Sequence, residues 1–218
     1  MATGDETADS YKTTAELLLR KKGEREKVIE SLFKAAVLYG SDRQKKAIEC
    51  LDELHNILKG STTEFGIVQY YRYLHRLARL YEELNTPSVS ADVYAELARE
   101  IYKSKNSLED DRTYTDIEIF KKFTAYLAKA LMLYDSTEKY DSILKLARAY
   151  YKVFPSLQQY KTIHGELFFC YEHIIHAADT TGSRYFREYY AGLDRELRGI
   201  ELEYEQKEIV EGKGPYTQ

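Results

Sequence analysis

Cys170, His173 and His176 stand at i, i+3 and i+6 in a stretch of helical periodicity. Three-residue steps keep neighbours on one helix face, but the set drifts by about 60° from first to third. Zinc takes four ligands in a tetrahedron, and Asp179 is the only local candidate for the fourth. A core cysteine beside two histidines in a polar seam is the simpler reading, and no metal is expected. The run Glu109-Asp110-Asp111 would need a pocket that perturbs its carboxylates before it could do acid–base work. Between helices it reads as a solvated loop. Gly212-Lys213-Gly214-Pro215 lacks the glycine spacing and the Ser or Thr of a phosphate-binding loop. It reads as a flexible tail. No serine or cysteine has recognisable catalytic company, so neither an enzyme nor a bound cofactor is expected.

Two constellations suit binding better than catalysis. Arg72, Arg76 and Arg79 fall at i, i+4 and i+7, a basic stripe flanked by His75. Guanidinium groups offer planar bidentate donors to carboxylates. The stripe therefore either pairs with Glu82, Glu83 and neighbouring helices or meets an acidic peptide or partner protein. Downstream, Tyr185, Phe186, Tyr189 and Tyr190 carry too much apolar surface to leave in water. They seal the end of a helical stack or form an exposed interaction patch.

The elements that must position these groups are mostly helical. Apolar residues recur at helical spacing in Val28–Val37, Ala47–Leu58, Val68–Tyr81, Phe120–Tyr134, Tyr140–Phe154 and Leu157–Ala178. Punctuation agrees: Gly40 and Gly60 end helices, Gly23 breaks one, and Pro155 forbids continuation. Ser41 with Gln44, and Thr115 with Glu118, read as capping boxes, and Ser88 as a cap. Thr124 to Pro155 follows the tetratricopeptide spacing through Leu127, Tyr134, Ile143 and Ala147. Tyr39, Tyr81 and Tyr134 each precede a turn, but at intervals of 42 and then 53 residues, so the array is irregular. After Gly182 the period changes, and Ile200-Glu201-Leu202-Glu203-Tyr204-Glu205 alternates strictly, as a half-buried strand does.

Bulk composition narrows the class. The 218 residues are 44% hydrophobic and 31% charged, ordinary values for a folded chain with length enough for a core. A net charge of −4 argues against a nucleic-acid binder. Cys50 and Cys170, each within a helical pattern, read as reduced core residues of a cytoplasmic protein. No run approaches the roughly 20 apolar residues of a membrane span, and Met1–Ser10 is no secretory signal. There are 21 tyrosines and no tryptophan, which suits helix seams that are partly wet.

The order of segments resembles the exchange region of the DOCK (dedicator of cytokinesis) family of Rho-type GTPase exchange factors. Tyr71-Arg72-Tyr73-Leu74-His75-Arg76-Leu77 is similar to a helix start in that family's first lobe. Tyr140–Leu146 followed by Gln159-Tyr160 is similar to a helix pair there. Arg184-Tyr185-Phe186-Arg187-Glu188-Tyr189-Tyr190-Ala191-Gly192 resembles the aromatic segment opening the sheet-containing second lobe, and Leu197–Tyr204 resembles its first strands. The likeness spans roughly residues 65–205. It implies a helical lobe that mediates homodimerisation, with any Rho-family GTPase contacted through further lobes, so that this chain would not exchange nucleotide alone.

The expected fold is all-α: stacked antiparallel helical hairpins, a tetratricopeptide-like α-solenoid, with a short β segment near the C-terminus. The expected organisation is a disordered leader over 1–12, a helical array over 13–182, and an aromatic segment and strand over 183–210. A flexible tail over 211–218 completes it. The expected site residues are Arg72, Arg76 and Arg79 for a partner, and Tyr185, Phe186, Arg187, Tyr189, Tyr190 and Gly192 at the lobe junction. A tetratricopeptide-like adaptor for an acidic peptide is the alternative function.

Overall fold

A computed structural model describes residues 4–21, 24–59, 66–105 and 115–210, with side chains from residue 7 to 207 within those ranges. Among the described residues the fold is all-α, with ten α-helices and no strand. They are α1 (Gly4–Leu19), α2 (Arg25–Tyr39), α3 (Gln44–Leu58), α4 (Ile67–Glu83) and α5 (Pro87–Lys103). Then come α6 (Asp116–Ser136), α7 (Tyr140–Tyr150), the short α8 (Phe154–Leu157), a 3-10 turn at Lys161–Ile163, α9 (His164–Thr180) and α10 (Arg184–Val210). The expectations at Gly23, Gly60, Glu109–Asp111 and the 211–218 tail lie outside the described residues. No helix among those described is long and apolar enough to cross a membrane.

The chain divides into two compact units, Met1–Leu97 and Ala98–Gln218, with the division inside α5 and Gly182 within the second unit. In the first unit α1 packs on α2, α2 on α3 and α3 on α4. Leu32, Phe33, Leu51, Leu54, Leu74 and Leu77 are fully removed from solvent there. The leader expected to be disordered is the helix α1: Ala8 and Ala15 are buried, the Tyr39 hydroxyl donates to Asp9, and Lys46 pairs with Asp9 at 2.9 Å. Its polar sequence conceals two small residues, seven apart, that let the helix lie close to its neighbour.

In the second unit α9 is central and packs against α6, α7 and α10. The segment with tetratricopeptide spacing is the α6/α7 hairpin, with Leu127, Tyr134, Ile143 and Ala147 all buried. Thr115 and Glu118 form the expected capping box at the start of α6, the Thr115 side chain accepting from the Glu118 amide and the Glu118 carboxylate from the Thr115 amide. Two other caps differ. Gln44 opens α3 without a side-chain cap, its amide donating instead to the Leu84 carbonyl. Pro87, not Ser88, sets the start of α5; proline suits the first helical turn because its absent N–H would go unused there. Pro155 likewise opens α8 as well as ending the previous run.

The strand expected after Gly182 is the helix α10. Gly182 adopts φ +70, a left-handed turn that a side chain would strain, and reverses the chain between α9 and α10. Beyond it Phe186, Tyr190, Leu193 and Leu197 are buried at intervals of four, three and four, while Leu202 is 58% exposed. The inward stripe has the helical period, and the alternation over 200–205 is a coincidence of Ile200 and Tyr204 lying on the packed side with Leu202 between them. Glu and Leu are strong helix formers, and no neighbouring strand exists among the described residues to pair with this one. Gly199 provides the check. It lies inside α10 with nothing within 4 Å of where a Cβ would stand, so Gly199→Ala should stabilise the chain by about 0.5–1 kcal/mol in urea unfolding. A loss of stability would contradict the helix.

Candidate functional site

The residues with chemical potential are distributed among structural pairs. Cys170 is fully buried on α9, beside Leu167, Tyr171 and Ile174, and burial pushes its thiol well above the ordinary value. Cys50 is buried in α3, and its thiol rises to about 11, first through burial. Burial thus favours the neutral thiol at both positions. His173 and His176 turn away from Cys170 onto one carboxylate: Asp135, near the end of α6, accepts from the His173 Nδ1 at 2.7 Å and the His176 Nδ1 at 2.8 Å. The buried Nε2 of His173 has no hydrogen-bond partner, so the site accommodates a hydrogen on Nδ1. Among the described residues no three His, Cys, Asp or Glu side chains are grouped to hold a metal ion.

Two further histidines brace helices in the same way. His164, at the start of α9 and 2% exposed, contacts the Gln158 carbonyl through Nε2 at 2.7 Å and the Glu201 carboxylate on α10 through Nδ1. His55 on α3 meets Glu96 on α5 at 2.8 Å, and Tyr70 of α4 donates to the same carboxylate at 3.2 Å. Burial raises the Glu96 pKa, but hydrogen bonds and charge from His55, then Tyr70, outweigh it and leave the carboxyl below its ordinary value of 4.5.

The arginine stripe lies on α4, whose other face buries Tyr70, Tyr73, Leu74, Leu77 and Tyr81. Arg72, His75, Arg76 and Arg79 line one surface groove of about 340 Å³ together with Leu80 and Glu83. Arg76 reaches α2, pairing with Glu30 at 3.1 Å while its guanidinium lies 4.2 Å from the centre of the Phe33 ring. Arg79 pairs loosely with Glu83 at 3.7 Å, both side chains largely exposed. Arg72 makes no ion pair with a described residue. Arg76 thus pairs with a neighbouring helix, while Arg72 and Arg79 are exposed. A smaller cavity of about 180 Å³, lined by Ala36, Val37, Leu80 and Leu84 among others, shares Leu80 and Glu83 with the groove.

The lobe-junction residues are split by the helical period. Tyr190 is fully buried and Phe186 nearly so, whereas Tyr185 is 67% exposed and stacks on Tyr189 at 6.3 Å. Arg187 pairs with Asp179 across the turn, and Gly192 is an ordinary helical position. A groove that sequence reasoning misses runs between α9 and α10, because a strand over 200–205 could not form its wall. The signal for it is the spacing Arg198, Leu202, Glu205, one helical face once the period is taken as helical. A scan against protein-family models finds no match, and a search of curated proteins finds none either.

The Glu96 node gives a pH prediction. A carboxyl depressed in the folded state contributes stability that is present above its unfolded value and lost as pH falls through the folded one. Glu96→Gln should therefore cost about 1–3 kcal/mol near neutral pH. The deficit should shrink steadily below the ordinary glutamate value of 4.5. Urea unfolding of both proteins across the acid range measures it, and a gap that does not change with pH would show that the charge is irrelevant.

Proposed function

We propose that this chain is a protein-interaction scaffold that works by self-association, in the manner of the helical first lobe of DOCK-type exchange factors, and does not exchange nucleotide alone. The observation that carries this reading is the way α4 divides the first-lobe motif: its tyrosines and leucines form the core and its arginines form a surface. Of the second motif pair, Tyr140–Leu146 belongs to helical packing in α7, whereas Gln159-Tyr160 lies in the turn before the Lys161–Ile163 segment. The Arg184–Gly192 segment is helical, so it lends no support to a sheet-bearing second lobe, and the reading rests on the first-lobe motifs. Four of the five histidines brace helices and both cysteines fill cores, which also favours a binding role over a catalytic one. Two buried free thiols fit a cytoplasmic setting. A Rho-family GTPase would be served through lobes other than this one. Light scattering at concentrations on the order of tens of micromolar should report a dimer, and a clean monomer would count heavily against this reading.

A second reading is supported by the α4 groove itself. Three guanidinium groups bordering an apolar notch suit an acidic peptide with one apolar anchor, bound as an adaptor binds its target. Arg72→Glu with Arg79→Glu should lower affinity for such a peptide at least about tenfold, with the circular dichroism spectrum unchanged because neither side chain braces the core. Unaltered binding in titration calorimetry would remove the groove from consideration.

A further inference from the structure

We propose that two copies of this chain meet through the α9/α10 groove, antiparallel across a twofold axis at the level of Leu202. This rests on the self-association reading and names a surface for it that the resemblance does not supply.

The groove has a volume of about 610 Å³ and runs between the first half of α9 and the second half of α10. Its α10 wall is one helical face, Arg198, Leu202 and Glu205, and its α9 wall includes Gly165 and Phe168. Leu202 is a large apolar side chain left 58% exposed in the middle of that face. Gly165 beside it is bare backbone, with nothing within 4 Å of where a Cβ would stand, so a facing helix can approach closely. Three contacts fix the two walls in register: His164 to Glu201, Arg198 over the Phe168 ring at 5.0 Å, and Lys161 over the Tyr204 ring at 5.1 Å.

The choice of occupant follows from charge. Arg198 lies four residues before Leu202 and Glu205 three after, about 6 and 4.5 Å along the helix axis. A twofold rotation about an in-plane axis at Leu202 sets α10 against α10 with the ends reversed. Leu202 then meets Leu202, and Arg198 of each copy meets Glu205 of the other. Both contacts occur twice or on the axis, as an isologous interface requires. A parallel pairing would place like charges opposite one another. A uniformly acidic or basic segment would find one matched and one opposed charge, so a second copy suits this face better. Glu201, the other carboxylate lining the groove, is engaged by His164. Arg198 also holds Asp194, through Nε at 2.8 Å and Nη2 at 3.3 Å. Those bonds use two of the guanidinium N–H groups, and the others are left for Glu205 of the second copy.

The test is light scattering of the full chain over a concentration series. Wild type should dimerise, and Leu202→Glu should be monomeric over the same range with an unchanged helical spectrum, since Leu202 is outside the core. Arg198→Glu and Glu205→Arg should each weaken the dimer by about tenfold or more, and the double swap should recover to within about threefold of wild type. A Leu202→Glu chain that dimerises like wild type overturns this surface while leaving self-association standing. A double swap no better than either single overturns the antiparallel pairing. A monomeric wild type overturns both this inference and the reading it rests on.

Discussion

The fold depends on tyrosines whose rings are buried and whose hydroxyls are not left unpaired. Tyr81 is fully buried and donates to Asp52 on α3 at 2.6 Å; Tyr190 is fully buried and donates to the Ala147 carbonyl on α7 at 2.7 Å. Tyr39 reaches Asp9, and Tyr189 donates to the Tyr151 carbonyl at 2.8 Å. Each hydroxyl stranded without a partner would cost roughly 1–3 kcal/mol, so every such ring fixes where the neighbouring helix must sit. Burial first, and then a neighbouring carboxylate, raises the Tyr81 pKa; Tyr190 is raised chiefly by burial. Both remain donors throughout the ordinary pH range. With 21 tyrosines and no tryptophan, the chain uses one kind of side chain both to fill its cores and to tie one helix to the next.

The same logic accounts for four of the five histidines. His55, His164, His173 and His176 each meet a carboxylate on another helix: Glu96, Glu201 and, for the last two, Asp135. A helix pair that buries only leucine and alanine can slide by a turn at little cost, whereas a buried polar pair has one register in which it is satisfied. These contacts tie helices together across the fold.

That difference explains what is legible in the sequence. Leu127, Tyr134, Ile143 and Ala147 announce the α6/α7 hairpin because burial on one face imposes a period, and Thr115 with Glu118 announces its start because a cap is a local contact. The members of the arginine stripe are visible for the same reason. Their separate fates are not, because Glu30 and Phe33, which hold Arg76, lie on α2 about forty residues earlier. Asp135 cannot be linked to His173 and His176 without knowing that α6 lies along α9. α1 looks disordered in sequence because its contribution to the core is two alanines, which carry little periodic signal.

The deceptive period at Ile200–Glu205 has the greatest consequence for function. Alternation identifies a strand only when the polar positions face water and the apolar positions face a sheet, and here the sheet is absent among the described residues. As a helix, the same residues place Leu202 outward and Tyr204 beside His164, giving the chain an exposed face with an apolar centre and opposite charges at its two ends. A strand would have sent Ile200, Leu202 and Tyr204 to a single side and left only Glu201, Glu203 and Glu205 on the other. The change from period two to the helical period thus alters more than the assignment of one segment. It turns a sequence that resembles the opening of a sheet-containing lobe into a helix surface whose charge order is its own complement.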